Sequence, residues 1–160
     1  MRNQPRELYR EFTSWAGWVY LVLWGAVGGS AIAAATAGSL WVALTCLGTA
    51  VLIQVLVGGL LVTIEPDGLR VGLGRLRLLR TFIEFSNIRE LESVTYQPLR
   101  EFGGWGLRGR GEKRAWTARG DEAVLLRTHD GRRIYIGSDE PAKLESRIRN
   151  AMSLVGAAPS

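Results

Sequence analysis

The chain has 160 residues, with 20 basic and 15 acidic side chains, a net charge of +5 and a pI near 10.0. That length suits one ordinary domain plus a small appendage and excludes a multidomain enzyme. The charges are unevenly placed: from Trp15 to Ile64, fifty consecutive residues contain no Asp, Glu, Lys or Arg, which excludes a simple soluble globular chain.

Residues 1–13 are polar, carry Arg2, Arg6 and Arg10, and read as an N-terminal tail. The charge-free run that follows is too long for a cleaved signal peptide. A helix needs about 20 apolar residues to cross the hydrocarbon layer, so residues 14–62 hold two crossings. The turn belongs at Thr36-Ala37-Gly38-Ser39, the most polar stretch of small residues in the run. Helix 1 is expected over 14–35 and helix 2 over 40–62. Arg2, Arg6 and Arg10 precede the pair, Arg70, Arg75, Arg77 and Arg80 follow it, and the turn is uncharged. The positive-inside rule then places both termini in the cytoplasm and the turn outside, as in a multi-pass protein of the inner (cytoplasmic) membrane. Trp15, Trp18 and Tyr20 would form an aromatic belt on the inner side and Trp41 would mark the outer boundary. Trp24 falls too deep for a belt and has no explanation from sequence.

Small residues recur every four positions on helix 1, at Gly25, Gly29 and Ala33. Helix 2 offers Gly48 and the pair Gly58-Gly59. Such stripes permit close backbone approach in lipid. They serve either packing within the hairpin or a homo-oligomer formed through helix 1. Cys46 is the sole cysteine, so it makes neither an intrachain disulfide nor a metal site, and within a membrane helix it is inert.

From residue 62 the pattern alternates between apolar and polar, as strands require. Strands are expected from Val62 to Glu65, around Leu69, Val71 and Leu73, and from Leu76 towards Phe85. Others fall around Val94 and Tyr96, over 105–108, 114–118 and 124–127, and over 133–136. Pro66-Asp67-Gly68 and His129-Asp130-Gly131 are turn signals. In the last strand Ile134 and Ile136 should face inward, and Arg133 and Tyr135 outward. A final helix starts near Glu140-Pro141 and ends near Leu154. Leu144, Ile148, Met152 and Val155 make its buried stripe, and Glu145 pairs with Arg149 four residues on. Residues 156–160 read as a flexible tail. The elements of 63–155 suggest seven or eight antiparallel strands in a half-open barrel, capped by the C-terminal helix.

Several segments together carry a resemblance. They are Gly103-Gly104-Trp105-Gly106-Leu107-Arg108, Arg114-Ala115-Trp116, Ala123-Val124-Leu125-Leu126, and the run from Asp130-Gly131 through Ile136-Gly137-Ser138 to Pro141. The sequence over about residues 60–150 resembles a family of small bacterial membrane proteins. That family combines a transmembrane helical hairpin with a pleckstrin-homology-like (PH-like) domain. The resemblance implies a cytoplasmic PH-like fold and brings no established activity.

No catalytic constellation is evident, and neither a cofactor nor a metal is implied. Gly104-x-Gly106-x-x-Gly109 matches a dinucleotide fingerprint in letters only, because a turn signal follows it where a helix is needed. His129 is the single histidine and sits in a turn. What remains is the segment from Arg100 to Gly120, with Arg100, Arg108, Arg110, Lys113, Arg114 and Arg119 against Glu101 and Glu112. Phe102, Trp105 and Trp116 are interleaved. With Arg75, these residues form a candidate surface for anionic lipid headgroups or an acidic protein partner; otherwise they are a solvated cationic hairpin whose tryptophans pack inward. Nucleic acid is not expected, because the aromatics match no known stacking module. The expectation is a non-enzymatic, membrane-anchored PH-like binding or scaffolding module. The alternative is an accessory subunit that regulates a larger membrane assembly through its helices. If the strands run away from and back to the bilayer, Arg75, Arg100 and Arg119 lie near it, while Arg110, Lys113 and Arg114 point away.

Overall fold

The computed structural model describes residues 8–74 and 79–156, with the side chains of Leu56, Val57 and Arg110 also left out. Its first element was not expected. The supposed tail forms strand β1 (Tyr9–Ser14), which pairs antiparallel with β2 (Gly59–Glu65) in a register from Tyr9↔Ile64 to Ser14↔Gly59. Tyr, Phe and Thr in this stretch suit a pleated, half-buried surface. Tyr9 packs against the main core, and Thr13 is buried.

Between these strands stand helices α1 (Gly17–Thr36) and α2 (Leu40–Val57). They are joined at Gly38, whose φ of +78° suits glycine. Both are apolar all round, as expected where lipid or protein covers every face. Trp41 is 82% exposed and Leu21 76%, whereas Ala31, Ala43 and Ala50 are buried in the hairpin. Helix α1 is long and apolar enough to cross a membrane, and α2 is a shorter apolar helix. The second helix ends earlier than the expected residue 62. Residues 59–62 belong to β2, paired with residues 11–14 of β1; the approach at Gly59 is so close that a side chain there would meet the Phe12 ring at 2.5 Å and the Thr13 carbonyl at 2.9 Å. The Gly58-Gly59 pair therefore marks a helix-to-strand switch, not a helix-packing contact.

The hairpin base is tied polar group to polar group. Tyr20 donates its hydroxyl proton to the Gly58 carbonyl at 2.8 Å. Trp24 donates from Nε1 to Gln54 Oε1 at 3.1 Å. The deep tryptophan thus satisfies a glutamine within the apolar pair, where an unpaired amide would be costly.

After β2 come β3 (Gly68–Leu73) and β4 (Leu79–Glu84), then a short 3₁₀ turn (Phe85–Asn87). Next are β5 (Ile88–Thr95), a five-residue helix α3 (Pro98–Phe102), β6 (Gly106–Arg110) and β7 (Lys113–Thr117). The chain ends with β8 (Glu122–Thr128), β9 (Arg133–Gly137) and α4 (Pro141–Leu154). The strands make two sheets, ordered β1-β2-β3-β4 and β5-β8-β9-β7-β6. This corrects the purely antiparallel barrel: the sheets are separate, and β7 pairs parallel with β9. The reason is that β9 folds back from β8 by a tight hairpin and inserts between β8 and β7.

Leu60, Val62 and Ile64 of the first sheet meet Trp116, Val124, Leu126 and Ile136 of the second in one core. Helix α4 adds Leu144, Ile148 and Met152, as its periodicity required, while Val155 is left exposed. Arg149 reaches Glu145 at 2.8 Å and also donates to the Leu91 carbonyl. Ile134 and Ile136 face this core, but Tyr135 is buried too, in a second cluster with Tyr96, Ala115, Ala123 and Leu125. Phe102 packs against that cluster, which covers the face expected to be outward.

Candidate functional site

Main-chain hydrogen bonds define the two ends of the sheets. At the hairpin end, Gly74 N–H bonds the Gly59 carbonyl. At the other end the Phe85 N–H bonds the Asp67 carbonyl and the His129 N–H the Asn87 carbonyl. The structure divides the expected basic surface among several environments.

Arg119 lies towards the hairpin, close enough to Tyr20 to interact electrostatically. It is not free to face lipid headgroups, because it forms a two-pronged pair with Asp139 at 2.9 and 2.6 Å. Hydrogen bonding to Asp139 raises the pKa of its guanidinium. Trp105 anchors the glycine-rich loop by donating from Nε1 to the Gly120 carbonyl at 2.7 Å. Arg108 turns back to the Trp105 carbonyl at 3.2 Å, and Arg100 donates to Gln97 Oε1 at 3.2 Å.

Lys113 is not a free cytoplasmic cation either. Its Nζ lies 2.6 Å from Glu101 Oε2, and 4.8 and 5.4 Å from the ring centroids of Phe102 and Tyr135. Phe102 meets Tyr96 and Tyr135 edge-on, at 6.0 and 5.2 Å. Helix α3 thus closes the outer face of the second sheet, with Lys113 held over it by charge and by ring faces. The hydrogen bond from Lys113 holds the Glu101 carboxyl below its ordinary range, and burial pushes the Tyr96 phenol up. Short α3 was missed because five residues are too few for a helical period to show.

Trp116 is in the main core. Arg114 shares its face of β7 and is exposed, without an ion-pair or hydrogen-bond partner among the described residues. Arg75 lies outside the described residues. Arg110 has its backbone in β6, and its side chain is outside them. On α1, Gly25, Gly29 and Ala33 are exposed, and open space lies where a Cβ would stand at Gly25 and Gly29. The stripe therefore lies away from α2, and packing within the hairpin does not use it.

Arg114 and Trp116 point into a cleft of about 530 Å³ between β4 and the β7–β9 part of the second sheet. Phe82, Glu84, Arg132 and Ile134 also line it. Ile134 was expected to face inward, but Phe82, Glu84 and Arg132 were not singled out by sequence, because a strand pattern shows which side chains share a face and not which strand stands opposite. Trp116 and Ile134, nearly buried, form a small apolar floor, and the walls are polar, with the Arg114 guanidinium unpaired among the described residues, which suits a carboxylate or phosphate. No group of three or more His, Cys, Asp or Glu side chains able to hold a metal occurs among the described residues. Compared with known proteins, the chain matches no family model, no curated protein and no solved structure.

Proposed function

We propose that the protein is a membrane-anchored, non-enzymatic binding or scaffolding module whose PH-like domain sits at the cytoplasmic face of a bacterial inner membrane. The observation that carries this reading is the Ser14↔Gly59 pairing at the base of an apolar helical hairpin. Paired strands bring both ends of the hairpin out on one side, and the arginines flanking the charge-free run favour the cytoplasm for that side. Arg100, Arg108 and exposed Leu99 then offer charge and apolar surface near anionic headgroups, each arginine contributing about 1 kcal/mol there.

The alternative, an accessory subunit acting through its helices, is favoured by one observation. The Gly25, Gly29 and Ala33 stripe is open on the outer face of α1. It would receive another transmembrane helix or a second copy of this chain.

Topology is tested by reporters after Arg2 and at the C-terminus, which should read cytoplasmic, and by an insertion at Gly38, which should read external. In the same membranes, a photo-crosslinking residue at position 99 should form lipid adducts, and one at position 86 should not. An external C-terminus overturns the anchored reading. Adducts at position 86 with none at 99 overturn the headgroup-facing surface.

A further inference from the structure

The sandwich has two mouths, where the edges of its sheets diverge. One is closed by α4. Ser93 donates to Glu145 Oε2 at 2.6 Å, and the Arg147 guanidinium sits 5.7 Å from the Tyr9 ring centroid. Ser138 donates to Glu11 Oε1 at 2.6 Å. The other mouth, between β4 and β7, holds the cleft and has no such closing element among the described residues.

Strand β4 is the last of its sheet and pairs only with β3 among the described residues. Edge strands are ordinarily protected by proline, bulges or inward charges. The sequence Leu79–Glu84 has no proline, and its register with β3 runs unbroken from Gly68↔Glu84 to Leu73↔Leu79. Phe82 is 41% exposed on it, with the Arg70 guanidinium 5.3 Å from its ring centroid. The facing edge strand is different: Gly106 and Gly109 of β6 have φ of +106° and +87°, which breaks the regular row of donors and acceptors.

Charge selects the occupant. Arg132 is matched by Asp130 at 3.1 Å, and Glu84 accepts a hydrogen bond from Ser86 at 3.2 Å. Arg114 is exposed and has no such partner among the described residues. We propose that this mouth is a peptide-binding site, in which an extended segment of a partner protein adds a strand to β4. The segment places apolar side chains over Trp116 and Ile134 and a carboxylate against Arg114. Main-chain bonds supply affinity in such strand addition, and alternate side chains supply specificity. Arg114 and Glu84 both line the cleft at the end remote from the hairpin, so the segment's acidic residue is drawn to Arg114 and away from Glu84. The site lies at the end of the sheets away from the hairpin and does not depend on the membrane reading.

The test uses the full chain in detergent micelles and short blocked peptides with valine, valine and glutamate at successive alternate positions and threonine between them, so that both valines and the carboxylate share one face of the added strand. Calorimetry measures binding and hydrogen exchange measures amide protection. The peptide should bind and slow exchange in β4. Arg114→Glu should weaken binding at least about tenfold, the loss of one charge-assisted hydrogen bond. Arg133→Glu, an equal charge change at an exposed position of β9 outside the cleft, should leave it unaltered. Because Arg114 is exposed, its replacement leaves the core intact. Absence of binding, equal loss in both variants, or protection outside β4 overturns the proposal. Displacement of the peptide by an equal concentration of N-acetylglutamate also overturns it, since the site would then be a carboxylate pocket and not a strand site.

Discussion

Lys113 and Glu101 show how one charge pair can be worth more as a positioning device than as an energy. Each side chain is about one-third exposed, at 34% and 33%, so water screens the attraction. The pair nevertheless fixes α3 over Tyr96 and Tyr135. Its pH dependence has a definite sign. Hydrogen bonding from Lys113 lowers the Glu101 pKa from its ordinary 4.5, so the unfolded chain binds more protons than the folded one as pH falls. The contribution is complete above pH 4.5 and is lost as the pH drops through the lowered value. Thermal unfolding should show Glu101→Gln slightly less stable than the natural chain at neutral pH, with the difference closing in acid. A difference that grows in acid would contradict the assignment. The sequence displayed the residues of this cluster but not the pairing. A basic run reads as a free surface until a strand register sets Lys113 opposite a helix twelve residues upstream.

At the scale of elements, legibility followed range. Helix α4 was readable because Leu144, Ile148 and Met152 repeat within one helix, and the β8–β9 hairpin because Asp130-Gly131 is a local turn. The hairpin helices were readable from missing charge alone. Strand β1 was not, because its partner lies beyond both helices and its own six residues include Arg10 and Glu11. Gly59 is where that distant pairing becomes a steric demand. A methyl group there meets the Phe12 ring and the Thr13 carbonyl, so Gly59→Ala should lower stability by about 1–3 kcal/mol. Gly48→Ala, with open space around it, should cost nothing and raise helix propensity. Denaturant unfolding in detergent compares the two; equal effects would mean that β1 does not pack against Gly59.

For the whole molecule, the β1–β2 pairing means that the folded domain includes residues on both sides of the hairpin. A fragment beginning at residue 65 lacks half of the first sheet together with core residues Leu60, Val62 and Ile64. Such a fragment should aggregate or unfold without cooperativity. Replacing residues 16–58 with a short glycine-containing turn joins strands that already pair as neighbours, about 5 Å apart. This shortened chain should be water-soluble and unfold in one cooperative transition by circular dichroism. Cooperative folding of the 65–155 fragment would show that β1 and β2 are dispensable.

The sequence by itself determined the apolar hairpin, the strand-rich domain and its closing helix, because charge depletion, alternation and helical periodicity are local properties. The tertiary structure alone decided that residues 9–14 form a strand, that β9 lies parallel to β7, and that Arg119 is bound to Asp139 while Arg114 has no partner among the described residues. Each of these depends on which segments meet across long stretches of chain. Core burial and strand pairing choose those meetings collectively, and no single stretch of sequence encodes them.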